Sequence, residues 1–250
     1  MEILIGFFKV KSLRLVTIFF ARFNVLLFLI LNLLVSEVYS ENIIGKNPQE
    51  IIQLLQLRVE QFEGYQVQMS LVAYGSRPKK QNMILWYKKG GFIRLKQLGP
   101  YREGSLVVFN PLEHKKFHGR LGGFLSFFTV KLDPDSWILR GVTGDSIQIV
   151  DYLAILKACT QVIEDYLQSF QIEELIWNKQ EVFLLTVEIN KKGEEFDFIQ
   201  DENIYRFFLT KSDLFLVRLE RYKDQSLLNT IEWKKFQAIN HFDSDLFQLR

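Results

Sequence analysis

Ile84-Leu85-Trp86-Tyr87-Lys88-Lys89-Gly90-Gly91-Phe92-Ile93-Arg94-Leu95 decides the fold. The stretch from Met83 to Lys88 is rich in the aromatic and branched residues that strands favour, and so is Phe92 to Leu98. Between them stands Gly90-Gly91, a pair that accepts the positive φ of a tight hairpin turn. Two strands joined this closely are antiparallel, because a parallel pair needs a crossover of a dozen or more residues.

The pattern extends in both directions. Upstream, Val67, Met69, Leu71 and Ala73 alternate with Gln66, Gln68 and Ser70, which is the period of a half-buried strand. A basic turn, Gly75 to Lys80, separates it from the hairpin. Before that strand, Asn47-Pro48-Gln49-Glu50 is a helix start: Asn caps free amides, Pro fits the first helical position, and Glu completes a capping box. Ile51, Leu55, Val59 and Phe62 recur at helical spacing, and Gly64 ends the element. Downstream, Leu106 to Asn110 and Lys115 to Arg120 continue the meander. Leu121 to Gly144 is irregular. Thr143 or Asp145 can cap a second helix, whose stripe is Ile149, Leu153, Leu156, Ile163 and Leu167. Strands then return at Phe183 to Ile189, Ile204 to Leu209, Leu214 to Tyr222 and Leu228 to Phe236, with a turn at Lys192-Gly193. All five prolines lie at or before residue 134, so no breaker interrupts the later strands.

Residues 1–40 differ from the rest. Lys9, Lys11, Arg14 and Arg22 precede an apolar run from Val25 to Val35, and Val38-Tyr39-Ser40 closes it. This is the layout of a cleavable secretory signal. An uncleaved inner-membrane anchor is the rival reading. The expected organisation is therefore a signal over 1–40 and a single domain over 41–250, exported to the periplasm. Residues 1–40 hold four of the 31 basic and two of the 29 acidic residues, so the remainder balances at 27 of each. A neutral chain has no electrostatic case for binding nucleic acid. One cysteine, Cys159, excludes an internal disulfide.

Candidate chemistry is thin. His114 and His118 stand four apart in a hairpin with no third ligand nearby, which reads as solvated surface rather than a metal pair. Asp133 and Asp135 flank Pro134, a turn signature. Gly90-Gly91 and Gly119 to Gly123 lack the Lys-Ser/Thr of a phosphate loop, and no Gly-x-Ser-x-Gly elbow is present. No metal, cofactor or catalytic residue is expected, and the chain does not read as an enzyme. What stands out is phenylalanine: 17 of the 23 lie beyond residue 40, several as Phe127-Phe128, Phe196/Phe198 and Phe207-Phe208. Adjacent strand residues point to opposite faces. Either helices or a second copy cover the extra apolar face, or the inside of an open barrel is lined for an apolar ligand.

The order of these parts resembles the LolA-like superfamily of outer-membrane lipoprotein-sorting carriers. The resemblance rests on the capped helix from Asn47, the strand Tyr65 to Ala73 and the motif Gly91-Phe92-Ile93-Arg94-Leu95, followed by the Gly104-led strand ending at Asn110-Pro111. The segment from Leu132 to Thr143 departs from the carrier proper, and so does the absence of a Pro-rich ending around Phe242 to Arg250. The resemblance implies an α+β fold: an incomplete antiparallel barrel, a curved meander sheet, with helices as a lid over the concave face. It implies a periplasmic, non-catalytic carrier, a monomer, holding acyl chains of a lipid or lipoprotein and served by a transport partner in the inner or outer membrane. The residues expected at the cavity are Arg94 as a polar gate, with Trp86, Phe92, Val67, Met69, Leu71 and Phe109 as wall. An envelope sensor built on the same fold, binding a partner protein or peptide, is the alternative.

Overall fold

The computed structural model describes residues 48–113, 115–145, 152–166, 169–189, 204–243 and 245–249. Two compact units divide the chain at Gly45; everything below belongs to the second. Its elements are helix α1 (Pro48–Glu60), strands β1 (Gly64–Ala73), β2 (Lys79–Lys88), β3 (Phe92–Pro100), β4 (Leu106–Phe109), β5 (Phe117–Arg120) and β6 (Thr129–Leu132), helix α2 (Tyr152–Asp165), and strands β7 (Phe170–Trp177), β8 (Gln180–Glu188), β9 (Ile204–Thr210), β10 (Leu216–Lys223) and β11 (Ser226–Ala238). Two single 3₁₀ turns, Gly123–Leu125 and Trp137–Leu139, flank β6.

All eleven strands form one sheet in the order β6-β5-β4-β3-β2-β1-β11-β10-β9-β8-β7. Every pairing is antiparallel. Two meanders, β1–β6 and β7–β11, are stitched together by their first and last strands, β1 and β11. The edges β6 and β7 do not pair, so the barrel is incomplete and the fold is α+β, as expected.

Cross-strand registers fix the two faces. Tyr65, Val67, Met69 and Leu71 of β1 stand opposite Tyr87, Leu85, Met83 and Gln81 of β2, and Leu71 stands opposite Ile231. Leu219, Phe207 and Leu185 continue that row across the second meander. This inner face is the main core, and both helices pack on it. Ile51 and Leu55 of α1 and Tyr152, Ile155, Leu156 and Val162 of α2 are buried, and the two helices touch each other. Tyr152 is the hinge of this packing. Its ring lies within 6.0 Å of the rings of Tyr65, Trp233, Phe215 and Phe236. Its N–H donates to the Tyr65 hydroxyl at 3.0 Å, and its own hydroxyl accepts the Leu216 N–H at 2.8 Å.

A bulge in β11 supplies one of those rings. Three residues of β11 span two of β1 between Gln66 and Gln68, and Lys235 takes φ +51°. The extra residue turns Phe236 inward, where it stacks on Tyr65 at 5.2 Å.

Several elements differ from expectation. α1 ends at Glu60, short of Phe62, which instead packs against Phe215 and Phe236. β2 begins at Lys79, inside the expected basic turn, because Lys79 and Lys80 pair with Ala73 and Val72. Strand β7 was not legible: its glutamates and half-exposed pattern follow from its place at the sheet edge. Asp145, a candidate cap in the sequence, has its carboxylate held by Arg221, and residues 146–151 between it and α2 lie outside the described residues. The turn at Lys192-Gly193, Phe196 and Phe198 lie outside the described residues.

Candidate functional site

The seven residues expected at one wall fall on both sides of the sheet. Val67, Met69 and Leu71 face inward and are buried. Phe109 joins them by way of Ile93, its partner in β3, and stacks on Phe117 at 4.7 Å. Trp86, Arg94 and Phe92 occupy the opposite parity, since Val67 pairs with Leu85 and Trp86 pairs with Arg94. The indole N–H of Trp86 donates to Gln66 on that outer face at 2.7 Å.

Part of the outer face of β2–β4, around Trp86, Phe92, Leu106 and Val108, is covered by the C-terminal strap. Phe247 packs with Leu106 and Val108, and Trp86, Phe92, Phe242, Leu246 and Leu249 surround them. Arg94 ties the strap down. Its guanidinium donates to the carbonyls of Leu246 at 2.7 Å and Gln248 at 3.2 Å. Partial burial, and then the nearby Arg120, lower its pKa from the ordinary value, but a guanidinium stays charged throughout the working pH range. Gly64 lets the strap approach: a Cβ there would meet the Phe242 ring at 2.4 Å. Arg94 is therefore a strap anchor on the outer face, set apart from the inner wall. Arg94→Ala is expected to cost about 1.5–3 kcal/mol, the loss of hydrogen bonds from a charged donor. Limited proteolysis should then remove the C-terminal segment before the sheet is cut.

The inner wall of the first meander has a different cover. Over its β2–β6 part it is the segment Asp133–Asp145, with Leu139 of its 3₁₀ turn buried. Beneath it is a pocket of about 40 Å³, whose walls include Met83, Leu95, Val107, Val130, Leu132 and Leu139. Gln97 also faces it, and its side-chain oxygen is buried without a hydrogen-bond partner. Forty cubic ångströms admits a water or two, far below the roughly 300–1,000 Å³ of a small-molecule site. A second hollow of about 310 Å³ lies outside, between β4, β5 and the strap, and is walled by Val108, Glu113, His118 and Phe247.

Few bonds hold the covering segment. Arg102 donates to the Ile138 carbonyl, and the Val142 N–H donates to the Gln81 side chain at 2.9 Å. Its C-terminal end is fastened far more firmly. The Arg221 guanidinium grips both carboxylate oxygens of Asp145, one at 2.8 Å. Its Nε donates to Asn229 at 2.6 Å, and the Thr143 hydroxyl donates to Asp145 at 2.7 Å. Arg221 is 1% exposed. The arrangement is a flap hinged at a buried ion pair. Among the described residues no group of three His, Cys, Asp or Glu could hold a metal ion.

Neither a family model nor a curated protein sequence matches the chain. Solved structures do resemble it. LprF from Mycobacterium bovis is 13% identical, with 79% of this chain and 96% of that one covered and a TM-score of 0.49. A LolA superfamily protein from Nitrosomonas europaea is 7% identical, with 82% and 98% covered and a TM-score of 0.40. A structure of the MucA/MucB complex of Pseudomonas aeruginosa is 10% identical, with 82% and 62% covered and a TM-score of 0.41. The likeness is one of fold.

The sequence missed the flap and the buried pair. Asp145 reads locally as a helix cap, and Arg221 carries no signal beyond its place in the strand Leu214 to Tyr222. Only the long-range contact of residues 76 apart turns them into a hinge.

Proposed function

We propose that this chain is an exported, non-catalytic carrier that holds acyl chains of a lipid or lipoprotein between the inner wall of β2–β6 and the Asp133–Asp145 flap. The observation that carries the reading is the apolar pocket closed by that flap. The pocket is walled by strand side chains, bordered by the unpartnered Gln97 oxygen, and covered by a segment with few bonds.

Magnitudes favour displacement. Lifting the flap breaks the two hydrogen bonds from Arg102 and Val142, together about 2–5 kcal/mol with one charged donor. It also exposes Leu139 until cargo replaces it. A chain of about 15 methylenes recovers about 12 kcal/mol on leaving water. Cargo of that length can hold the flap open, whereas a short chain cannot. The signal-like layout of residues 1–40 supports export, and a carrier that encloses its cargo can act as a monomer.

Native mass spectrometry of protein purified from the cell envelope should show co-purifying lipid, and an apolar fluorescent probe should bind and be competed by long-chain fatty acid. Val107→Phe fills the pocket and is expected to weaken probe binding at least tenfold, with the fold retained at a cost of about 1–3 kcal/mol from overpacking. A lipid-free mass together with no probe uptake would sink the proposal.

A further inference from the structure

Among the described residues, four large aromatic side chains are more than half exposed. Phe124, Phe127, Phe128 and Trp137 are 53–83% exposed. Tertiary contacts gather the loops that carry them. The Gly122 N–H donates to Ser105 at 3.0 Å, and Gly122 lies so close to the turn at Glu103 that a Cβ would collide with its carbonyl. Arg102, on the same turn, reaches the Ile138 carbonyl and lies 5.6 Å from the Trp137 ring. Thus the turn 101–104, the loop 121–128 and the flap meet at one end of the first meander, and the rings project from that end. Phe127 and Phe128 touch each other at 4.4 Å.

The charges there are biased. Arg102, Arg120 and Arg140 line the pocket beneath the flap, and no acidic residue does. Lys131 is exposed on β6. Asp133, at the far end of β6, is paired with Lys116 at 3.0 Å, and Glu103 is the acidic residue on the turn 101–104. The rings stand on short turns, Phe124 in Gly123–Leu125 and Trp137 in Trp137–Leu139, and are exposed there. Exposed Phe and Trp ringed by Arg and Lys suit the boundary between headgroups and acyl chains, where rings insert and cations meet anionic lipid.

We infer that this end of the molecule docks on an anionic bilayer through Phe124, Phe127, Phe128 and Trp137. The docked end is also the mouth of the flap, so an acyl chain could pass between bilayer and pocket without crossing water. Docking does not depend on the carrier reading and is measured separately from cargo binding.

The test uses the chain purified from the cell envelope and vesicles of phosphatidylethanolamine with brominated phosphatidylglycerol. Trp137 fluorescence should shift to the blue and be quenched by the bromines, and Trp137→Phe should remove most of that response; residues 1–40 contain no tryptophan to mimic it. The combined variant Phe124→Ser, Phe127→Ser, Phe128→Ser should weaken vesicle binding at least tenfold with its circular dichroism unchanged. These residues are exposed, so misfolding is not expected. The inference is overturned if Trp137 is not quenched, if the triple variant partitions like the parent, or if neutral phosphatidylcholine vesicles bind equally well.

Discussion

Arg221→Met is expected to destabilise the protein by about 3–5 kcal/mol, the cost of leaving one member of a buried ion pair alone. Asp145 is buried, and its two oxygens are occupied by the guanidinium. With Arg221 gone, the carboxylate keeps the Thr143 hydroxyl as its side-chain partner among the described residues, and Asn229 loses the donor to its oxygen. For a domain of about 200 residues each kcal/mol moves Tm by about 2–4 °C, so a fall of roughly 10 °C is expected in thermal unfolding. The effect should be largely confined to the pair. Arg221→Met combined with Asp145→Leu removes both charges and should regain much of the loss, because a buried pair is often replaceable by apolar residues of similar volume. A Tm within 2 °C of the parent for the single variant would contradict the hinge assignment. The same single variant should loosen the flap, so protease cleavage between residues 133 and 145 should accelerate by more than the change in global stability accounts for.

Tyr152→Ala is the second large effect. The side chain is 1% exposed, and truncating a buried aromatic of this size costs about 3–5 kcal/mol. It also strips the acceptor from the buried Leu216 N–H, which adds about 1–3 kcal/mol for an unsatisfied donor. Tyr152→Phe separates the two contributions: it keeps the four ring contacts and loses only the hydroxyl. We expect the phenylalanine variant to lie about 1–3 kcal/mol below the parent in urea unfolding, and the alanine variant to be at or past the limit of folding. Equal losses for the two variants would show that the hydroxyl, and not the ring, secures α2 to β10.

These two residues also mark where local reading stops. The strand-turn-strand signal of Ile84 to Leu95, the capped helix at Asn47-Pro48 and the alternation along Val67 to Ala73 are written in neighbouring residues. Antiparallel strands and an α+β class follow from them with no tertiary information. Phe207-Phe208 likewise announces two apolar faces, and the structure puts Phe207 in the main core and Phe208 with Val182 and Leu184 on the other side. What could not be read locally is which strand lies next to which. Alternation assigns Trp86 and Leu85 to opposite faces, but only the register with Val67 says which of them faces inward. That register places Arg94 on the outer face, where it bonds the strap, and Val67, Met69 and Leu71 on the inner one.

By itself the sequence determined the class of element, the hairpin turns and the surplus of aromatic side chains, because those depend on interactions between residues a few positions apart. The tertiary structure alone decided how the surplus was distributed. Pairing β1 with β11 and clamping Asp145 with Arg221 join residues more than 70 apart, and the cost of closing such loops is met only by the packing they permit. Among the described residues that packing drew many of the rings into the core, while Phe124, Phe127, Phe128 and Trp137 stayed exposed near the flap.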